Sequence, residues 1–140
     1  MSRIFFIADT HFGSDSLIRY ENRPFTDPVE MDRELITRWN AVVFPDDTVW
    51  HLGDFGADGH ESEILAQLNG TVYLVRGNHD THSSDYYRSC GFAEVYDLPV
   101  ILDSFWILSH EPLYLYQGGT HELYRHRKSK SVRQSIRASR

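Results

Sequence analysis

The chain has 140 residues, 41% of them hydrophobic and 24% charged, which is the composition of a single ordinary globular domain. Its one cysteine, Cys90, excludes an internal disulfide and favours a reducing, cytoplasmic location. The first apolar run covers only residues 4–8 and no run approaches the ~20 residues that cross a bilayer, so neither a leader nor a membrane association is expected.

The first predicted strand covers residues 3–8 and ends in Asp9-Thr10-His11. Glycine, serine, aspartate, asparagine and proline fill much of residues 12–25, which predicts a loop over any site at the strand end. Arg19 and Arg23 are candidates there for binding a substrate anion. The alternative, that both are ordinary loop residues, stays open because their spacing fits either role.

A helix is predicted to start at Asp27, with this aspartate as the N-cap, Pro28 at the first helical position and Glu30 closing a capping box. The apolar residues that follow at helical spacing predict one face packed on a sheet. These residues are Met31, Leu35, Ile36, Trp39 and Val42.

The second predicted strand covers residues 48–52 and leads into Gly53-Asp54. His51 lies inside this strand, where a histidine is more often a hydrogen-bonded packing residue than a ligand. Residues 61–68 predict a second helix that ends at the turn signal Asn69-Gly70. His60, at the start of that helix, is expected to face solvent.

The third predicted strand covers residues 71–75, which are rich in β-branched and aromatic residues, and it runs into Gly77-Asn78-His79-Asp80. Gly77 allows the backbone to turn and to approach a ligand closely. Residues 83–91 then predict a short capped helix that ends at a glycine. His82, just before it, is expected to be a surface residue.

Two extended runs, residues 95–102 and 105–109, predict a hairpin joined at Asp103-Ser104, and the second run leads to His110. Four apolar runs therefore each deliver an Asp, Asn or His at the C-terminal end. The order of elements implies a layered α/β fold, in which ligands collect at the carboxyl ends of the strands.

The donors at these four strand ends are carboxylate, imidazole and amide oxygen, which together suit first-row divalent ions such as Mn²⁺, Fe²⁺ and Zn²⁺. A pair of such ions about 3.5–4 Å apart needs a bridging carboxylate and suits phosphoryl displacement. Asp54 is the predicted bridge.

The four motifs resemble, in order and spacing, those of the calcineurin-like metallophosphoesterases, particularly small bacterial or phage members. The resemblance implies a sandwich of two mixed β-sheets flanked by helices, and a phosphomonoesterase or phosphodiesterase with two divalent ions (Mn, Fe, Zn or Ni, with Mn favoured). It also assigns site residues. The first metal would be held by Asp9, His11 and Asp54, and the second by Asp54, Asn78 and His110. His79 would be the acid that protonates the leaving oxygen, and Asp80 would orient its ring.

The family's closing motif, Gly-His-x-His, is altered. In one alignment His126 stands for the first histidine, with Arg125 in place of the glycine and Lys128 in place of the second histidine. In a competing alignment, residues 118–121 keep only the second histidine, as His121. Either way one metal loses a ligand, so the alternative function is a weakened or inactive binding protein with an incomplete metal site.

A basic, serine-rich composition without a strand pattern separates a tail, residues 129–140, from a domain, residues 1–128, and the tail is expected to be disordered or weakly helical. Seven arginines, no lysine and nineteen acids precede His121, and seven basic residues and one acid follow from there. The expected partner is a small phosphate ester, and nucleic acid is unlikely except through the tail. The abrupt change also leaves open that the chain is a truncated or altered version of a longer member.

Overall fold

The computed structural model of the protein describes residues 1–115 and 123–125. Within these ranges the helices and strands follow one another as β1 Ile4–Ile7, α1 Asp15–Tyr20, α2 Pro28–Val42, β2 Thr48–His51, α3 Glu61–Leu65, β3 Thr71–Val75, α4 Ser84–Cys90, β4 Glu94–Tyr96, β5 Val100–Leu102, β6 Trp106–Leu108, β7 Leu113–Leu115 and β8 Leu123–Arg125. None of the helices in this part of the chain has the length and apolar character needed to cross a membrane.

A four-stranded sheet in the order β1-β2-β3-β4 organises the fold, and each neighbouring pair is parallel. Ile7 pairs with His51, and His51 pairs with Leu74, so the first three strands end at nearly the same level. The chain segments that follow these strands therefore leave the sheet at one edge, which is the geometry that gathers ligands in α/β folds.

Each face of the sheet is covered by a different layer. On one face, buried Val49, Val72 and Leu74 pack in a single apolar cluster with Trp39 of α2 and Tyr87 of α4. On the other face, a second cluster joins strand residues to the antiparallel hairpin β5-β6. Its buried members are Trp50, Leu52, Val75 and Leu108. The predicted layered α/β fold is confirmed: helices flank a parallel sheet, and a second sheet is antiparallel.

Helix α2 begins as predicted and ends at Val42, the last residue of its apolar pattern. The Asp27 carboxylate accepts a hydrogen bond from the Glu30 backbone N–H at 2.8 Å, and Met31 and Trp39 are buried. Val42, predicted to face the sheet, is 51% exposed. Val43 is buried instead, because the backbone becomes extended at Val43 and directs the side chain of this residue inward.

Residues 12–25 contain a helix, so the prediction that this segment is only a loop is wrong. Ser14 caps α1 by accepting a hydrogen bond from the Leu17 backbone N–H at 3.3 Å. Ile18 is buried and fixes the helix to the core. The run predicted at residues 95–102 is also divided, because β4 belongs to the large sheet and β5 to the hairpin.

Candidate metal centre

The carboxylate of Asp54 is the point at which the predicted ligands meet. Its Oδ2 lies 2.8 Å from Nδ1 of His79, 3.4 Å from Nε2 of His110 and 3.5 Å from Nε2 of His11. His11 and His79 follow strands of the four-stranded sheet and His110 follows the hairpin strand β6, so the sheet edge and the hairpin together bring them to Asp54. Asp54 itself is 2% exposed, which holds the charge among the imidazoles rather than in solvent.

Asp9 and Asn78 complete the cluster. Asp9 Oδ1 lies 3.9 Å from both His11 Nε2 and His110 Nδ1, and Asn78 Oδ1 lies 3.0 Å from His110 Nε2. Five of the six predicted metal ligands are therefore close neighbours of Asp54 or of each other. The sixth, His126, lies outside the described residues, as do the other positions of the altered closing motif apart from Arg125.

Two overlapping groups have the donor spacing of a metal site, and Asp54 belongs to both. In one group the donor atoms of His11, Asp54 and His79 lie within 4.8 Å of one another, and in the other so do those of Asp9, Asp54 and His110. This division differs from the predicted one, which placed Asp9 with His11. The His79 ring bonds to Asp54 and lies beside His11, but Asp9 Oδ1 is also 3.9 Å from His11 Nε2, so the assignment of ligands to two metals stays a prediction.

The His110 ring is held in the orientation that a metal ligand needs. Its Nδ1–H donates to the Leu52 backbone carbonyl at 2.9 Å, which leaves Nε2 facing Asp54. A backbone acceptor behind a histidine ligand fixes its orientation in this way in many metal sites. Burial alone would lower the pKa of His110, but the hydrogen bond and charge of Asp54 raise it above its usual value.

The ionisation states of His11 and Asp54 suit a cation. Burial lowers the pKa of His11 to about 4, so its imidazole is neutral at pH 7 and its lone pair is available. Burial would raise the pKa of Asp54, but hydrogen bonds from His110 and His79 hold it well below its usual range. Burial raises the pKa of Asp9, which a nearby divalent ion would reverse.

The backbone at the cluster is unusual. Asp9, His11 and Asp54 have φ angles of 56°, 48° and 56°, in the left-handed region that residues other than glycine seldom adopt. Such conformations collect at functional sites, where the surrounding structure enforces them. Only glycine fits at position 77, because a Cβ there would overlap Asp54 Oδ1.

The role predicted for Asp80, orienting the His79 ring, is wrong in this structure. The two oxygens of Asp80 accept hydrogen bonds from the backbone N–H groups of Asp54, Phe55 and Gly77, at 2.8, 3.0 and 2.7 Å. Burial nevertheless raises the pKa of Asp80. Asp80 thus ties the loop after β2 to the loop after β3, and Asp54 orients the His79 ring.

Arg19 and Arg23, the predicted substrate contacts, have partners within the protein. The Arg19 guanidinium pairs with Asp15 on the exposed side of α1. Arg23 donates to the backbone carbonyls of Asp9 and Thr10 at 2.9 and 2.8 Å. Arg23 therefore shapes the loop that carries the first two ligands, and phosphate contact by either arginine stays a prediction.

Buried His51 is a packing residue, as predicted. Its Nδ1 accepts from the Gly53 backbone N–H at 3.2 Å, and its Nε2 donates to Thr10 Oγ1 at 2.9 Å, since that hydroxyl donates to the Phe55 carbonyl. Both ring nitrogens are used, so His51 is not available as a ligand. Thr10 is a site-supporting residue that sequence reasoning missed, and its only signal is its place between two predicted ligands.

His51 predicts a pH dependence of stability. Protonation of Nδ1 would break the bond from Gly53, and burial lowers the pKa of His51 to about 3 in the folded state, against an ordinary 6.5. The unfolded chain therefore binds the extra proton between those values, so the His51 contribution is complete above pH 6.5 and is lost as the pH falls toward 3. In metal-free protein, urea unfolding of His51→Gln should lose stability less steeply than wild type over this range, by up to about 1.4 kcal/mol per pH unit.

His60→Gln is the matched control for this prediction, because the His60 side chain is 69% exposed. Its stability profile should run parallel to that of the wild type. Parallel profiles for wild type and His51→Gln would contradict the lowered pKa of His51 in the folded protein.

The chain is similar to known proteins. The calcineurin-like phosphoesterase model matches residues 2–137. An uncharacterized protein of Methanocaldococcus jannaschii is 43% identical over 84 residues, which are 57% of this chain and 48% of that protein. The Gene 66 protein of Mycobacterium phage L5 is 35% identical over 85 residues, which are 57% of this chain and 41% of that protein.

A solved structure has a similar fold. The crystal structure of a protein of unknown function from Aquifex aeolicus superposes with a TM-score of 0.58 and 32% sequence identity, over 71% of this chain and 53% of that one. The chain thus spans about half the length of the relatives that it matches. Because the family model matches nearly all of its residues, the chain belongs to the calcineurin-like phosphoesterase family.

Proposed function

We propose that the protein is a metal-dependent phosphoesterase that hydrolyses phosphomonoesters or phosphodiesters with a water activated by two divalent ions. The observation that supports it most strongly is the position of Asp54, whose carboxylate is common to both groups of candidate ligands. A carboxylate shared between two cation positions is the arrangement that a dinuclear phosphoesterase needs.

The donor set fits such ions. Each group combines carboxylate oxygen with imidazole nitrogen, a mixture that suits Mn²⁺, Fe²⁺, Zn²⁺ or Ni²⁺, and we favour Mn²⁺. The backbone acceptor behind His110 and the neutral ring of His11 prepare two of these imidazoles for coordination. Bound ions would polarise the phosphoryl oxygens and lower the pKa of a water molecule.

His79 is the proposed general acid. Its Nδ1–H donates to Asp54 Oδ2 at 2.8 Å, and its backbone N–H donates to Asp54 Oδ1 at 2.9 Å, so both ends of the residue are fixed. The side chain is 51% exposed, and no described residue forms a hydrogen bond with its Nε2. A protonated His79 can therefore present Nε2–H to the leaving oxygen of a substrate while Asp54 stabilises the ring.

The direct test is hydrolysis of bis-p-nitrophenyl phosphate and p-nitrophenyl phosphate by protein loaded with Mn²⁺. Activity should disappear in EDTA and return with added Mn²⁺, and protein stripped of metal should keep its far-UV circular dichroism. At most one tightly bound ion, together with no hydrolysis of either ester or of a wider panel of phosphate esters, would favour the alternative of an inactive binding protein with an incomplete metal site.

A further inference from the structure

A second set of metal-binding side chains lies outside the centre built on Asp54. Asp58 lies in the loop between β2 and α3, Glu61 is the first residue of α3, and His82 lies between β3 and α4. One donor atom from each lies within 4.8 Å of the others. This group shares no residue with the two groups that contain Asp54.

Glu61 is a buried carboxylate at the start of α3. It is 2% exposed, and among the described residues it receives one hydrogen bond, from the Tyr86 hydroxyl to Oε2 at 2.7 Å. No described lysine or arginine pairs with it. Because buried charges in proteins are paired with opposite charges or coordinate metals, this carboxylate is a position at which a cation would be stabilising.

The other two donors are held against Glu61 by the chain around them. The His82 ring packs on Tyr86 with a centroid distance of 4.2 Å, and its Nε2 lies 2.6 Å from Asp58 Oδ1. Asp58 is placed there by a tight loop, in which Ala57 and Gly59 have φ angles of 59° and 82°. Two separate chain segments, residues 57–61 and 82–86, thus converge on one point.

We propose that Asp58, Glu61 and His82 form a mononuclear site for a first-row divalent ion, and Zn²⁺ is the ion used to test it. One imidazole and two carboxylates suit this class of ion and leave room for water as a further ligand. A tetrahedral zinc ion separates its donor atoms by about 3.3–3.6 Å, so His82 and Asp58 need to move apart by only about 1 Å.

The position of this site would let a bound ion stabilise two loops of the main centre. Asp58 lies four residues after Asp54, and His82 lies two residues after Asp80. An ion here would link the loop after β2 to the loop after β3, as the Asp80 carboxylate does through backbone amides. The result would be a stabilised pair of loops without a new catalytic group.

Native mass spectrometry of the full chain with added Zn²⁺ tests the site. Wild type should bind one ion more than His82→Asn and one more than Asp58→Asn. His60→Asn is the matched control, because its exposed ring sits beside Glu63 at 3.4 Å in the same part of the chain and should leave the stoichiometry unchanged. Equal ion counts in wild type and both site variants would overturn the proposal, and so would an equal loss in His60→Asn.

A second readout separates metal binding from simple folding defects. Glu61→Gln keeps an oxygen for the Tyr86 hydroxyl but removes the buried charge, so in EDTA its Tm should equal or exceed that of the wild type. In Zn²⁺ the order should reverse, since only the wild type gains the extra ion. This comparison should be made in the Asp54→Asn background, where ions at the main centre contribute least. A Zn²⁺-induced rise in Tm that is the same with and without Glu61→Gln would overturn the proposal.

Discussion

Asp54→Asn should abolish the tight binding of both ions and lower phosphoesterase turnover by at least about a thousandfold, or about 4 kcal/mol of transition-state stabilisation. The substitution keeps the size of the side chain but removes the charge that His11, His79 and His110 surround. Each candidate ligand group loses its common member, so neither ion position remains complete. Metal content after gel filtration and turnover of bis-p-nitrophenyl phosphate measure the two effects.

Asp46→Asn is the matched control. Asp46 is an exposed aspartate in the turn before β2, at the opposite end of that strand from Asp54. The same change there should leave metal content and turnover as in the wild type. If Asp54→Asn retains two tightly bound ions, the carboxylate is not the shared ligand.

His79→Asn should lower turnover by about 10²- to 10⁴-fold on esters with poor leaving groups, such as alkyl or phenyl phosphates, and much less on p-nitrophenyl esters. A good leaving group departs as an anion, so only the poor ones need the proton that His79 supplies. Asparagine keeps the backbone N–H that bonds to Asp54, and the bound ions should therefore be retained. The measurement is kcat across a series of aryl and alkyl esters together with metal content.

The donor atom of His79 lies among those of His11 and Asp54, so His79 could be a metal ligand instead of the general acid. The leaving-group series distinguishes these two roles. Loss of one ion with an equal fall in kcat on every ester would identify His79 as a metal ligand. His60→Asn is the control for a histidine outside the centre, since its exposed ring lies beside Glu63 rather than Asp54. This variant should keep the leaving-group dependence of the wild type.

The sequence predicts the centre because the signal is local and repeated. Apolar runs that end in Asp9, Asp54 and Asn78 become neighbouring parallel strands, and parallel pairing places their ends at one edge. The helix beginning at Pro28 is predicted for a similar reason, since a cap and a 3.6-residue period are both readable in one segment. His110 is reached from a separate hairpin, whose turn signal at Asp103-Ser104 is also local.

The hydrogen-bond partners of the site residues cannot be predicted from the sequence. Asp80 follows His79 directly, yet its oxygens bond to three backbone amides that only the folded loops bring within reach. Arg23 likewise bonds to carbonyls thirteen and fourteen residues away, which spacing cannot indicate. The helix at Asp15–Tyr20 could have been predicted from the sequence. Ser14, followed by an acidic residue and an apolar pair, is a recognisable signal for the start of a helix.

Anomalous diffraction from crystals of the Mn²⁺-loaded protein tests most directly the claim that one carboxylate serves two cations. Two manganese peaks about 3.5–4 Å apart, each within bonding distance of an Asp54 oxygen, are the predicted result. A single peak, or two peaks of which one is not in contact with Asp54, would contradict the account of this centre.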